Sequence, residues 1–249
     1  MNEQKMHPFE RILFERFGGH IQAGEHDERE EAACALEMAS LARGRGLSYE
    51  SVDAELPMFW PISDGLGIWP DDKTRTVHVL PLVTALWDWP QWSKSQEEAW
   101  KGRILQRTIQ EILPFVLRPI GLIAEADRCA QDGDLGAALA AREAAREIVK
   151  TAHGDQDAML VLRAVRVRES ARFVVRAARS RDDFELAYAA YHVASSLHCI
   201  AIGRGIAARE ALTDSTCYRN RDATAGEILA LACRIWREEA DQVLNLKSH

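Results

Sequence analysis

His26, Cys34 and Glu37 form an H-x7-C-x2-E pattern inside the stretch GEHDEREEAACALEMASLARG. On a helix, residues three apart share a face, so Cys34 and Glu37 could converge on one ion while His26 folds back from the preceding turn. Zinc accepts all three ligand types, and a bound zinc would make a metal-dependent hydrolase the enzymatic reading. Against it, a site needs a third or fourth strong ligand, and the other histidines show no paired spacing such as HExxH. The plainer reading makes Asp27 a helix cap, Cys34 part of a buried stripe with Met38 and Leu41, and Glu37 a flanking carboxylate. No cofactor is expected.

Other chemistry-bearing types read as packing. His192 and Ser196 lie four apart and His198 adjoins Cys199, but no orienting acid or oxyanion donor is legible beside them. Gly203-Arg204-Gly205 lacks the strand and the Lys-Ser/Thr of a phosphate loop. No dinucleotide fingerprint or kinase signature occurs.

The arginines carry more information. Arg168, Arg172, Arg176 and Arg179 recur at helical spacing along one face, a self-repelling row softened only by Glu169. Something acidic is expected opposite: the chain's own Glu28, Glu30 and Glu31, a nucleic-acid backbone, or an acidic protein surface. The formal net charge of -7 disfavours direct nucleic-acid binding, because neutralising phosphates requires a basic surface. A host protein or nucleoprotein complex fits better.

The elements that must position these groups read as helical. Alanine and leucine dominate and β-branched alternation is scarce, which predicts an all-α, irregular bundle of about seven to eight helices. Asp27 with Glu30, Ser95 with Glu98, and Thr224 with Glu227 match the capping box and predict helices over about 28–42, 96–113 and 224–245. Gly44 and Gly46 offer a left-handed stop to the first. Further helices are expected near 121–131 and 135–152, joined through Gln131-Asp132-Gly133-Asp134, and at 156–180 and 183–211. One alanine-rich fragment has the texture of a tetratricopeptide helix, but no second copy follows at that period. The chain divides into a region 1–120 and an alanine-rich bundle 121–249, or forms one continuous domain.

Between Leu56 and Trp100 lie six of the seven tryptophans and a cluster of prolines. This predicts a Trp/Pro-rich loop insertion at about 47–76 and a short helix starting near Pro81. Its indoles are core or lid on one reading, and partner anchors on the other, with Trp60 and Trp69 as the candidates. The five cysteines are odd in number and set among apolar residues, so they read as small buried side chains in a reducing, cytoplasmic setting. No run of eighteen apolar residues predicts a membrane span.

Gly24, His26, Cys34, Glu37 and Gly44, followed by VLPLVTALWDW and ILPFVLRPIG, resemble an uncharacterised family of actinobacteria and their phages that carries a GxHxxxxxxxCxxE segment before alanine-rich helices. The resemblance covers the first half of the chain. It implies a mostly helical fold and a phage or mobile-element setting, without a reaction. Together these features lead us to expect a non-enzymatic interaction protein that binds and inhibits a host complex, for example an anti-defence factor of the anti-CRISPR kind. The alternatives are the hydrolase above and an oligomeric scaffold.

Overall fold

The computed structural model describes residues 6–23, 32–46, 56, 59–64, 68–151, 158–180, 184–195 and 216–245. Among them every regular element is a helix, as the composition predicts. None is long and apolar enough to cross a membrane.

Several of the helix starts differ from the sequence expectation. The chain opens with α1 (Pro8–Arg16), where His7 caps the first turn and Glu10 returns a bond to the His7 N–H. Then α2 (Ala35–Ala42) begins at Cys34 rather than near Glu28. Residues 32–34 are not helical, and Asp27 and Glu30 lie outside the described residues. The end of α2 follows expectation: Gly44 takes φ 77°, and the N–H of Arg45 returns to the Ser40 carbonyl.

The tryptophan-rich region holds more helix than its prolines suggest. After the single-turn α3 (Trp60–Ser63), α4 runs from Asp72 to Ala85 with Pro81 inside it. A proline there costs about 3 kcal/mol in lost hydrogen bonding and crowding. Val79, Leu82 and Val83 are fully buried, and each such side chain contributes about 1.5–3 kcal/mol, which outweighs the break. The expected loop at 47–76 thus gives way to helix from Asp72.

The next helix, α5 (Lys94–Arg107), is capped by Ser93 and Gln96 instead of Ser95 and Glu98. The earlier start sends Trp92 into the core beside Trp100. A π-helical turn at Thr108–Ile112 leads to α6 (Pro114–Leu117) and α7 (Ile123–Asp132). Gly133 then turns the chain with φ 62°, where a Cβ would meet the Gln110 side chain at 2.5 Å. Asp134 caps α8 (Leu135–Thr151), and α9 (Ala158–Ser180) returns against it. A further helix, α10, spans 184–195.

The last helix, α11 (Thr216–Asn245), begins eight residues before Thr224, so the sequence's third capping-box pattern falls inside it. It packs on α4 and α5. The Trp100 indole N–H donates to the Trp236 carbonyl at 3.1 Å, and their rings meet edge to face at 5.1 Å. Beside them Arg107 joins Glu111, Glu238 and Glu239. Among the described residues the helices beyond the expected set are α1 and the single-turn α3 and α6.

Candidate functional site

Cys34 and Glu37 are brought together, but as two halves of a helix start. Glu37 Oε2 accepts the Cys34 backbone N–H at 2.7 Å, which satisfies a donor that the first turn cannot pair. Burial pushes the Cys34 thiol well above its ordinary range, and the nearby charges of Asp64 and Glu37 push it the same way. A thiolate, the form that ligates metal, is therefore disfavoured there. His26 lies outside the described residues. Among the described residues no group of three or more His, Cys, Asp or Glu side chains could hold a metal ion.

The tryptophans face mainly inward. Trp69 is 5 % exposed, its indole N–H bonded to the Ile62 carbonyl and its ring stacked on His78. It cannot anchor a partner without leaving the core. Trp60 is half-buried, packed edge-on to Tyr188 and tilted against Phe184. His192 belongs to this aromatic set, stacked on Phe173 at 4.4 Å, while Ser196, His198, Cys199 and Gly203 to Gly205 lie outside the described residues.

The arginine face is real and wider than the spacing on one helix suggests. On α9, Arg168 and Arg172 share Glu169, at 3.1 and 3.0 Å. One turn on, Arg176 pairs with Glu185 of α10 and lies over the Phe173 ring. Arg179 is exposed and has no carboxylate partner among the described residues. The antiparallel packing of α8 against α9 adds Arg142 and Arg146 across a groove of about 300 Å³ that also includes Arg168, Arg172, Glu143 and Glu169.

Arg146 is held by Glu143 at 3.2 Å on its own helix, whereas Arg142 has no carboxylate partner among the described residues. Among the described residues four guanidinium groups thus meet two carboxylates, a surplus of positive charge in the groove. The acids that soften the row are Glu169 and Glu185; Glu28, Glu30 and Glu31 lie outside the described residues.

No family model, curated protein or solved structure matches this chain. What the surface can do has to be read from its own chemistry. Exposed ion pairs such as Arg172 with Glu169 contribute little to stability, about 0–1 kcal/mol, and exchange readily for a better partner. Planar guanidinium forks on a rigid helix pair suit bidentate capture of carboxylates.

Arg142 and Arg146 escape a reading of α9 alone. Their spacing of four on α8 was the available signal. A short connection between two long amphipathic helices makes them antiparallel neighbours and so sets one arginine row beside the other.

Proposed function

We propose that this is a non-enzymatic binding protein whose α8/α9 arginine groove docks onto an acidic protein surface. The observation that carries the reading is the groove itself, where, among the described residues, Arg142, Arg146, Arg168 and Arg172 stand against two carboxylates and Arg179 beyond it has no carboxylate partner. Such a surplus on one face of an acidic chain sets a local field opposite in sign to the whole, which steers a partner and fixes its orientation.

The partner we propose is a host protein or nucleoprotein complex that presents Asp and Glu, contacted on its protein part. A role as an inhibitor encoded by a phage or mobile element, in the manner of an anti-defence protein, rests on the resemblance of the Gly24 to Gly44 segment. Trp60 borders α10 and is the one candidate tryptophan anchor that keeps partial exposure. Trp69 is not part of the proposed surface.

The test is charge reversal at Arg172 and Arg179, which leaves the Arg176–Glu185 pair untouched. Affinity for a captured acidic partner is expected to fall by about 10- to 100-fold, with a flatter salt dependence and unchanged helicity. Equal affinity and equal salt dependence in the reversed variant would overturn the reading.

A further inference from the structure

A second cavity, of about 330 Å³ and open to solvent, lies between α4 and α11 on a different surface from the arginine groove. Its lining is chemically divided. Val77, Pro81 and Leu231 supply apolar wall, and Val77 is 60 % exposed, so a branched apolar side chain stands uncovered at the rim. Arg234 and Arg237 supply charge. Arg234 lies 3.9 Å from Glu238, the outer limit of an ion pair. Arg237 is half-buried and has no carboxylate partner among the described residues. A guanidinium that gives up part of its hydration without a counter-charge is a ready receiver for an anion.

The remaining groups narrow the ligand. His78 is fixed by stacking on Trp69, with ring centroids 5.7 Å apart and planes within 17°. Burial holds its imidazole below the ordinary range, so near neutral pH it offers one donor and one acceptor without charge. Cys233 lines the cavity as a buried thiol that burial pushes far up; it stays protonated and behaves as a small apolar surface, not a nucleophile. Glu227 stands on the same face of α11 as Arg234, two turns earlier, roughly 10 Å along the axis. A second carboxylate at that end would be repelled.

We propose that this cavity binds a small monocarboxylate with a compact apolar body. The carboxylate sits on Arg237 and Arg234, and the body covers Val77, Pro81 and Leu231. The volume lies at the small end of the range that ligand pockets occupy, which suits a single ring or a short branched chain.

Benzoate is the probe, titrated into the full chain while the His78 imidazole resonances are followed by NMR. Benzamide, neutral and of the same shape, and inorganic phosphate, anionic without an apolar body, are compared at equal ionic strength. Benzoate is expected to shift the His78 signals saturably, and both comparison compounds to bind at least about tenfold more weakly. Arg237→Gln should weaken benzoate by at least about tenfold, and Val77→Asp, at an exposed position, should do the same with an unchanged melting temperature. If Arg237→Gln fails to fold, Val77→Asp decides alone. Benzoate that gives no saturable shift by about 10 mM, benzamide or phosphate that matches it, or a Val77→Asp protein that binds it normally would overturn the proposal.

Discussion

Arg176 reaches from α9 to Glu185 on α10, and the two partners differ in exposure: the arginine side chain is 51 % exposed and the glutamate 9 %. One oxygen of Glu185 is buried with no hydrogen-bond partner among the described residues, where the ion pair is the main compensation for a carboxylate held out of water. Arg176→Ala is therefore expected to destabilise the protein by about 1–3 kcal/mol, the lower part of the range reflecting the solvent around the arginine. Adding Glu185→Gln should recover most of that loss. Arg172→Ala, which leaves Glu169 still paired with Arg168, should change stability by no more than about 0.5 kcal/mol. Urea unfolding of the four proteins checks this, and equal losses for Arg176→Ala and Arg172→Ala would contradict it.

Trp100 ties the first half of the chain to its last helix. Both Trp100 and Trp236 are fully buried, and the N–H of one reaches the main chain of the other. Trp100→Phe keeps most of the apolar contact and is expected to cost about 1–2 kcal/mol, whereas Trp100→Ala should cost about 3–5 kcal/mol and increase amide exchange in α11. A loss under about 1 kcal/mol for the alanine variant would show that the C-terminal helix is held by other contacts.

How far these features could be read from sequence depends on the kind of signal each leaves. The all-helical class was legible because alanine and leucine at helical spacing bury one face whatever the neighbouring elements do. Gly44 and Gly133 were legible as stops because a left-handed φ strongly favours glycine. Helix starts were less so. Ser95-x-x-Glu98 is as good a box as Ser93-x-x-Gln96, and the choice falls to Trp92, whose burial no local rule anticipates. His7 and Cys34 are not among the preferred capping types, so no local signal marks the start of α1, and the Asp27 pattern predicts a start for α2 that is too early. Pro81 misled because tertiary burial of its neighbours outweighed its local cost. The arginine row on α9 was visible; its widening by Arg142 and Arg146 needed the pairing of two helices, and its Glu185 partner needed the start of α10.

The Cys34 and Glu37 pair makes opposite predictions for a cap and for a metal ligand set. As a cap, Glu37→Ala should cost about 0.5–2 kcal/mol, because the Cys34 N–H loses its acceptor, and Cys34→Ser should cost less. Elemental analysis of the purified protein is the companion measurement. Stoichiometric metal released by Cys34→Ser would contradict the cap assignment.

Buried thiols set a stability limit on the alkaline side. Burial pushes Cys129 up to about 11, from an ordinary 9.0. Above the ordinary value the unfolded chain gives up this proton while the folded one keeps it, so stability is full below about pH 8 and declines as pH rises from 9 toward 11. Cys129→Ala should flatten that part of the pH profile relative to the parent, measured as the difference in urea midpoints. Parallel profiles for the two proteins would contradict the assignment.

The most direct test of the arginine groove as a binding surface is a paired capture from lysate of the source organism at moderate salt. One bait is the parent chain and the other carries Arg142→Glu, Arg172→Glu and Arg179→Glu, with retained proteins quantified by mass spectrometry. A discrete acidic protein or complex held stoichiometrically by the parent and lost by the reversed bait is the predicted result. The same retained set on both baits, or none on either, would contradict it.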